Sequence, residues 1–425
     1  MNAGRLIAVN ALIRTASAAI GQIMAFLVAA RLTERLGVGA GALLVGMLGA
    51  TFYVTELLLA PFFGRVADAR GLVRVLRWGP AFGFASTVGA AAAAGAGLST
   101  PLLAGALLAT RVLEGVSAAC AVPTTLALLA GETERRATSR MRLMAGFEIA
   151  SLLGLIAGYV GGGITWDSLQ ISAMWIFAGV YGVAWVLTRG GAQIITGPPR
   201  APVLMRSELA ALLRTRGVTP FIVAWLAVNA VVGVWVQQAP FLLKLPERST
   251  TQVLVGGYSG TTIGEIFGAW AAIFLLGIGL WSILAPGWPR RRALLVALGG
   301  MLLVVLSLAL VNHGASHWVL AVGAAGVLVE SGFTPAGFAH LADVTDGRAG
   351  ARGMTMGVYS MLLGAGQLAG ALVGSPLAAR WQMDGVLVAT AVLAVIAIAA
   401  VLQMPSAPPA EAGQASREPE RRALQ

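Results

Sequence analysis

The stretch PLLAGALLATRVLEGVSAACAVPTTLALLA, residues 101–130, is apolar except for an arginine and a glutamate near its centre, Arg111 and Glu114. A helix needs about 20 mostly apolar residues to cross the hydrocarbon of a membrane, and this run exceeds that length. A charge at mid-bilayer costs at least about 2.5–3.5 kcal/mol, so two of them demand compensation. Residues three apart share a helix face, so Arg111 and Glu114 can offset each other.

The rest of the chain repeats the pattern. Of 425 residues, 57% are hydrophobic and 11% charged, with a mean hydropathy of +0.81. Soluble domains carry about 25% charged residues, so the composition is that of an integral membrane protein. The formal charge of +11 does not point to nucleic acid. Its arginines sit in short segments between apolar runs, where they meet lipid headgroups and set topology. The single cysteine, Cys120, excludes an intrachain disulfide. The N-terminal run is interrupted by Asn10, Arg14 and Gln22 and is too long for a signal peptide, so it reads as a retained first span.

Twelve spanning runs are expected: 6–30, 40–63, 76–98, 101–130, 143–165, 169–188, 218–243, 259–284, 293–312, 317–342, 354–379 and 384–403. Strand-like alternation is absent, which argues against a membrane barrel. With the N-terminus inside, only Arg31, Arg35, Lys244, Arg248 and Arg380 of the 29 basic side chains fall in outer loops. That asymmetry places both ends in the cytoplasm. The polar, arginine-rich segment 189–217, with Gly197-Pro198-Pro199, divides the spans six and six. The expected organisation is a bundle at 1–188, a cytoplasmic linker at 189–217, a second bundle at 218–404 and a disordered tail at 405–425. Shifting the chain by half its length aligns Pro123 with Pro335, Arg140 with Arg352 and Met144 with Met356. The same shift aligns Gly154, Gly158 and Gly162 with Gly366, Gly370 and Gly374. An even number of spans in each half makes the two repeats parallel.

The sequence after the second span is GRVADARGLVR, with Gly64, Asp68, Arg70, Gly71 and Arg74 in a short basic turn. Twelve spans, a six-plus-six parallel repeat and this turn resemble the major facilitator superfamily, whose loop signature is Gly-x-Leu-Ala-Asp-Arg-x-Gly-Arg-Arg. Gly64, Ala67, Asp68 and Gly71 match it; Val66 replaces the leucine, and Ala69, Leu72 and Val73 depart from the basic positions. The resemblance implies an all-α fold of twelve transmembrane helices in two parallel six-helix repeats. It also implies that Asp68 works in a cytoplasmic gate, with Arg70 and Arg74 covering the missing charges. The equivalent turn of the second half, Pro286 to Arg292, has no acid. Arg111, Glu114 and Gly115 fit the family's fourth-span pattern, which implies a role for the arginine in proton coupling. Gly154, Gly158, Gly162 and Gly163 fit its antiporter pattern in the fifth span, except that Tyr159 stands where a proline is expected. The motif pattern is nearest to the drug:proton antiporters.

Four further acids fall within spans: Glu56, Glu148, Glu265 and Glu330. Arg14 and Glu56 lie at comparable depth on neighbouring spans, by the helical rise of about 1.5 Å per residue. They can form a structural pair or face a cavity. Arg111, Glu114, Glu330, Arg14 and Glu56 are the candidate proton-coupling and cavity residues, because ionisable groups inside a membrane are functional by default. Glu148 and Glu132 join Gly64, Asp68, Arg70 and Gly71 as candidates for the gate. The glycines at four-residue spacing are helix-packing positions. Asn10, Gln22, Asn229, Gln237, Gln238, Gln367, Trp225 and Trp235 could line a cavity, although each such residue is more often packed.

No nucleophile–base pair, metal-ligand cluster or phosphate-binding loop appears, so neither an enzyme nor an ATP-driven pump is expected. The leading expectation is a proton-coupled secondary transporter working by alternating access in a bacterial-type inner membrane, exporting small amphipathic compounds by antiport. Uptake of a small anionic metabolite, and a non-transporting scaffold or sensor of the same fold, are the alternatives. The expected partners are a small-molecule substrate and the bilayer, with no nucleic acid. The chain is expected to be a monomer that uses protons and no cofactor or metal.

Overall fold

The structure is a computed structural model that describes residues 3–136, 140–189, 217–285, 287–345 and 351–405, without the side chains of 130–145 and 341–360. The expected linker and tail therefore lie almost wholly outside the described residues. Among the described residues every regular element is helical, as hydrocarbon requires when backbone groups must find partners within the segment.

The first half comprises α1 (Ala3–Leu27), α2 (Val38–Arg70), α3 (Leu72–Gly95), α4 (Thr100–Arg136), α5 (Arg140–Leu169) and α6 (Ala173–Thr188). A π-helical turn, Val28–Leu32, and a short helix, Thr33–Leu36, extend α1. The second half comprises α7 (Val218–Lys244), α8 (Gly260–Leu284), α9 (Arg290–Asn312) and α10, which comes in two pieces, Val319–Glu330 and Phe333–Thr345. Ala351–Leu402 follows, 52 residues long and broken at Gln382. At about 1.5 Å per residue it would reach about 78 Å, over twice the hydrocarbon thickness, so it forms α11 before the break and α12 after it.

Nine stretches among the described residues are long and apolar enough to span a membrane. Two of them, Gly146–Thr188 and Met361–Leu402, have 43 and 42 residues and accommodate two spans each. Helix α3 carries Arg74 and Arg77, which lower its hydropathy, and it packs between α4 and α6.

The helix ends correct several expected borders. The basic turn after the second span is helical to Arg70, and the chain reverses on Gly71 alone, at φ 98°. A side chain is strained at that φ, so glycine is required there. Gly64 sits inside α2 with nothing near the position of a Cβ, so it serves no turn. The expected continuous tenth span is interrupted at Ser331-Gly332, immediately before Phe333-Thr334-Pro335.

The repeat is visible in the backbone. Among the described residues only Gln170 and Gln382 combine a side chain with positive φ, at 52° and 53°. They are related by the same half-chain shift and turn α5 into α6 and α11 into α12. The expected packing glycines also pair off. A Cβ on Gly154 would lie 2.6 Å from the Ala11 carbonyl oxygen, and one on Gly158 2.5 Å from that of Thr15. For Gly162 it would lie 3.1 Å from the Cα of Ala19. On α11, Gly366, Gly370 and Gly374 would meet Leu226, Ala230 and Val234 at 2.8, 2.0 and 2.9 Å. The partners keep a constant offset (11 to 226, 15 to 230, 19 to 234), so α5 sits on α1 as α11 sits on α7. Helices in lipid gain nothing from mutual apolar burial, and such backbone proximity supplies their dispersion contact.

Arg5 donates to the Arg189 carbonyl at 2.6 Å, and Gly217 lies against Pro405. The starts of α1 and α7 thus share one face with the ends of α6 and α12, here called the termini face.

Two substitutions separate packing glycines from the rest. Gly370→Ala should lower stability by about 1–3 kcal/mol, the cost of overpacking. Gly64→Ala should stay within about 0.5 kcal/mol. Thermal unfolding of the detergent-solubilised protein measures both, and equal losses would contradict the packing.

Candidate functional site: an acid-bearing cleft beneath a closed seal

The two halves meet chiefly toward the face opposite the termini. The first turns of α2 press on α7 and α11. A Cβ on Gly41 would be 2.8 Å from Phe241, one on Gly49 would be 2.4 Å from Gln237, and one on Gly46 would overlap Ser375. On the other side, Gly163 of α5 meets Gly260 of α8 backbone to backbone, with a Cβ-to-oxygen approach of 2.1 Å. Tyr159 stacks on Phe267 with ring centroids 4.8 Å apart. The tyrosine that replaces the expected proline is therefore part of this seal. Polar groups cross it as well. Gln238 donates across it to the Ala42 carbonyl at 3.1 Å and within its own half to Ser375 at 3.0 Å, and Lys244 pairs across it with Asp167 at 3.3 Å.

Helix periodicity then places the intramembrane acids. Glu56 lies two turns beyond Gly49 on the same face of α2. Glu148 lies three turns before Tyr159 on the same face of α5. Both therefore look toward the other half, on the termini side of the seal. Glu56 is half-buried and Glu148 exposed, so both reach the space that the halves leave open on the termini side of the seal, here called the cleft. Arg14 of α1 acts electrostatically on both. Among the described residues it makes no hydrogen bond and no ion pair, so of the two arrangements the sequence allows, the Arg14–Glu56 contact pair is not formed. Glu148 belongs with Arg14 rather than with the turn at Asp68. Glu330 ends the first piece of α10, half-buried, where Gly300 of α9 packs against its backbone.

Arg111 and Glu114 depart from the expected cavity position. The two form an ion pair, with exposures of only 5% and 1%. Ser17 donates to the second carboxylate oxygen of Glu114 at 2.7 Å, and Arg111 Nε donates to the Leu48 carbonyl at 3.3 Å. The guanidinium also lies over the Phe52 ring, 4.7 Å from its centroid. The pair is sealed inside the first half and does not line the cleft. Tyr53 lies between the two charge groups, within the electrostatic reach of Glu56, Arg14, Arg111 and Glu114. The sequence reading missed Tyr53, Asp167 and Lys244. An isolated tyrosine in an apolar run carries no pattern, and the other two stand at helix ends that resemble ordinary loops.

The remaining candidates divide between packing and position. Asn10 donates to Ser151 at 2.7 Å, Asn229 to its own helix at Trp225, and Trp235 to Thr390 at 2.9 Å. Gln22 is buried with no hydrogen bond inside the protein. Trp225 stacks on Phe333. Asp68 is half-buried in the last turn of α2 and Arg70 is exposed. The side chain of Glu132 lies outside the described residues.

Comparison with known proteins agrees with this architecture. The family description Major Facilitator Superfamily matches residues 9–321 and 253–425. The crystal structure of nucleoside transporter NupG superposes with a TM-score of 0.71, at 12% identity, over 95% of this chain and 99% of that one. The D-xylose-proton symporter gives 0.71 at 16% identity over 95% and 97%. A POT family transporter in complex with 5-aminolevulinic acid gives 0.67 at 14% over 94% and 95%. These similarities concern the fold. None of the curated proteins matches the sequence.

The sealed pair generates a stability prediction. Arg111→Ala leaves a buried carboxylate without its cation and should cost about 3–5 kcal/mol. The double variant Arg111→Met with Glu114→Leu should recover most of that loss. Thermal unfolding in detergent decides, and a double variant as unstable as the single one would contradict the sealed arrangement.

Proposed function

The chain belongs to the major facilitator superfamily, and from that premise we propose that it is a proton-coupled secondary transporter that exports small amphipathic, cationic compounds by antiport. It is a multi-pass membrane protein of a transporter family. Coupling, direction and substrate charge are what the proposed reading adds. The observation that carries it is the placing of Glu56 and Glu148 around the unpartnered Arg14, directly beneath the seal. Two carboxylates facing one guanidinium leave an excess of negative charge, which favours a cation or a proton over an anionic metabolite. A carboxylate that holds a proton cannot pair with a cationic substrate. Each ligand therefore displaces the other, and alternating occupancy of one site by two competitors is the basis of antiport.

In this reading residues 1–188 and 218–404 rock as two bodies joined by 189–217. The arginine distribution puts both termini in the cytoplasm of a bacterial-type inner membrane. The seal then lies on the outer side, and the cleft opens inward to take up cytoplasmic substrate. Glu330 offers a second protonation site in the other half, at the break in α10. Arg111 and Glu114 contribute by holding α4 against α1 and α2, with Tyr53 linking their field to the cleft. Asp68, Arg70 and Gly71, with Glu132, act at the inner gate when the cleft closes on that side.

A second reading, uptake by symport, draws on one specific similarity, the superposition on the D-xylose-proton symporter. The direction of flux separates the two. In inverted vesicles with an inward-acid pH gradient, a fluorescent cation should accumulate and collapse the gradient. Glu148→Gln should reduce that flux by at least about ten-fold, the equivalent of one lost charge-assisted contact. Flux of the opposite sign, or gradient-driven movement of a labelled sugar with no effect of the cation, would favour symport.

A further inference from the structure

Asp167 is the acid that sequence patterns leave unassigned, and its surroundings are unlike those of the other intramembrane carboxylates. It stands in the last turn of α5, in the first half, and all its hydrogen-bond donors come from the second half. Its Oδ1 accepts from the Gly260 backbone N–H at 2.8 Å and from Lys244 Nζ at 3.3 Å. Its Oδ2 accepts from the Thr261 N–H at 2.7 Å and the Thr261 hydroxyl at 2.9 Å. Gly260 and Thr261 open α8, and the first N–H groups of a helix have no partner within it. Ser259 takes the N–H of Thr262 at 3.0 Å, and Asp167 takes the two before it. The start of α8 is therefore capped partly from the opposite half, by a carboxylate that also interacts favourably with the positive end of the helix dipole.

The internal repeat supplies a control. The counterpart of the α5–α8 contact is the contact between the end of α11 and the start of α2. Under the half-chain shift Asp167 corresponds to Ala379, whose carbonyl oxygen lies 3.2 Å from the position of a Cβ on Gly39. The start of α2 at Gly37 has no side-chain cap. The fold thus closes this contact without a carboxylate, and only one of the two equivalent contacts carries one. Closure by glycine packing does not require Asp167.

We propose that Asp167 is a positioning residue of the transport cycle. Its carboxylate latches α5 to α8 and Lys244 and so sets the proportion of molecules whose seal is shut. Parting the halves exposes two helix-start N–H groups and an ammonium to water at once, so the latch releases in a single step. This inference rests on the alternating-access reading of the cleft.

Spin labels at Ser99→Cys and Ser316→Cys, in a Cys120→Ala background, report the separation of the halves at the sealed face by double electron–electron resonance. The full chain is used in lipid nanodiscs, with and without acidification. Asp167→Asn and Asp167→Ala should raise the ratio of parted to closed molecules about ten-fold or more, as expected for losing charge-assisted hydrogen bonds made in one state only. Asp167→Glu should restore part of the closed population, and Lys244→Gln should give a smaller shift. Asp384→Asn should leave the ratio unchanged, because Asp384 contacts Asn312 and His313 of its own half. If the Asp167 variants do not fold, Thr261→Ala and Lys244→Gln must still shift the ratio. An unshifted ratio in monodisperse protein overturns the latch. Parting on acidification in wild type, unaltered by the Asp167 variants, overturns the latch and leaves alternating access standing. Labels that never part under any condition overturn both.

Discussion

Helices immersed in hydrocarbon gain little by burying one another's apolar faces, so the closeness of their backbones decides what holds them together. In this protein that closeness is set by glycine. Gly154, Gly158 and Gly162 bring α5 against α1, and Gly366, Gly370 and Gly374 bring α11 against α7 in the same register. These ridges meet alanine, threonine and valine, and the contact is continuous over two turns. The two ridges thereby fix α5 on α1 and α11 on α7 in equivalent positions of the two repeats.

The same device operates between the halves, with a different admixture. Gly163 meets Gly260 and Gly46 meets Ser375, and beside the apolar contacts of Tyr159 with Phe267 and of Gly41 with Phe241 stand polar groups: Gln238, Lys244, Asp167 and Thr261. Polar contacts exchange with water at small net cost, whereas an interlocked apolar core does not part without losing its dispersion contacts. Contacts within a half thus rest mainly on backbone close packing, and contacts between the halves add hydrogen bonds and an ion pair. The proposed transport cycle draws on that difference when it takes the seal to part and the glycine ridges to stay closed.

The charges inside the bundle meet two fates for a related reason. Arg111 and Glu114 satisfy each other, with Ser17, the Leu48 carbonyl and the Phe52 ring completing the shell, so they can be enclosed. Arg14, Glu56 and Glu148 are held apart on three helices, within one another's field and without contact. Groups in that state retain capacity for a ligand. The chemical versatility of the molecule is therefore concentrated in the charges that do not pair.

Much of this was legible in the sequence. Apolar runs of spanning length, the arginine asymmetry and the half-chain shift sufficed for an all-helical membrane protein of two parallel repeats. Those properties depend only on the hydrophobic length of local segments and on side-chain volume. The packing glycines were legible for the same reason, since four-residue spacing fixes a helix face whatever lies opposite. Which charges pair was not legible. Arg111–Glu114 reads as a cavity pair and is enclosed, and the sequence leaves Arg14 and Glu56 open between a contact pair and a cavity, of which the contact is not formed. Glu148 reads as part of a gate and faces the cleft. Pairing depends on the azimuth of each helix and on the gap between neighbours, which are set by contacts between residues remote in the chain. Asp167 shows the limit most plainly: its partners lie 77, 93 and 94 positions away, and only the approach of α5 to α8 turns an ordinary helix-end acid into a cap on another helix.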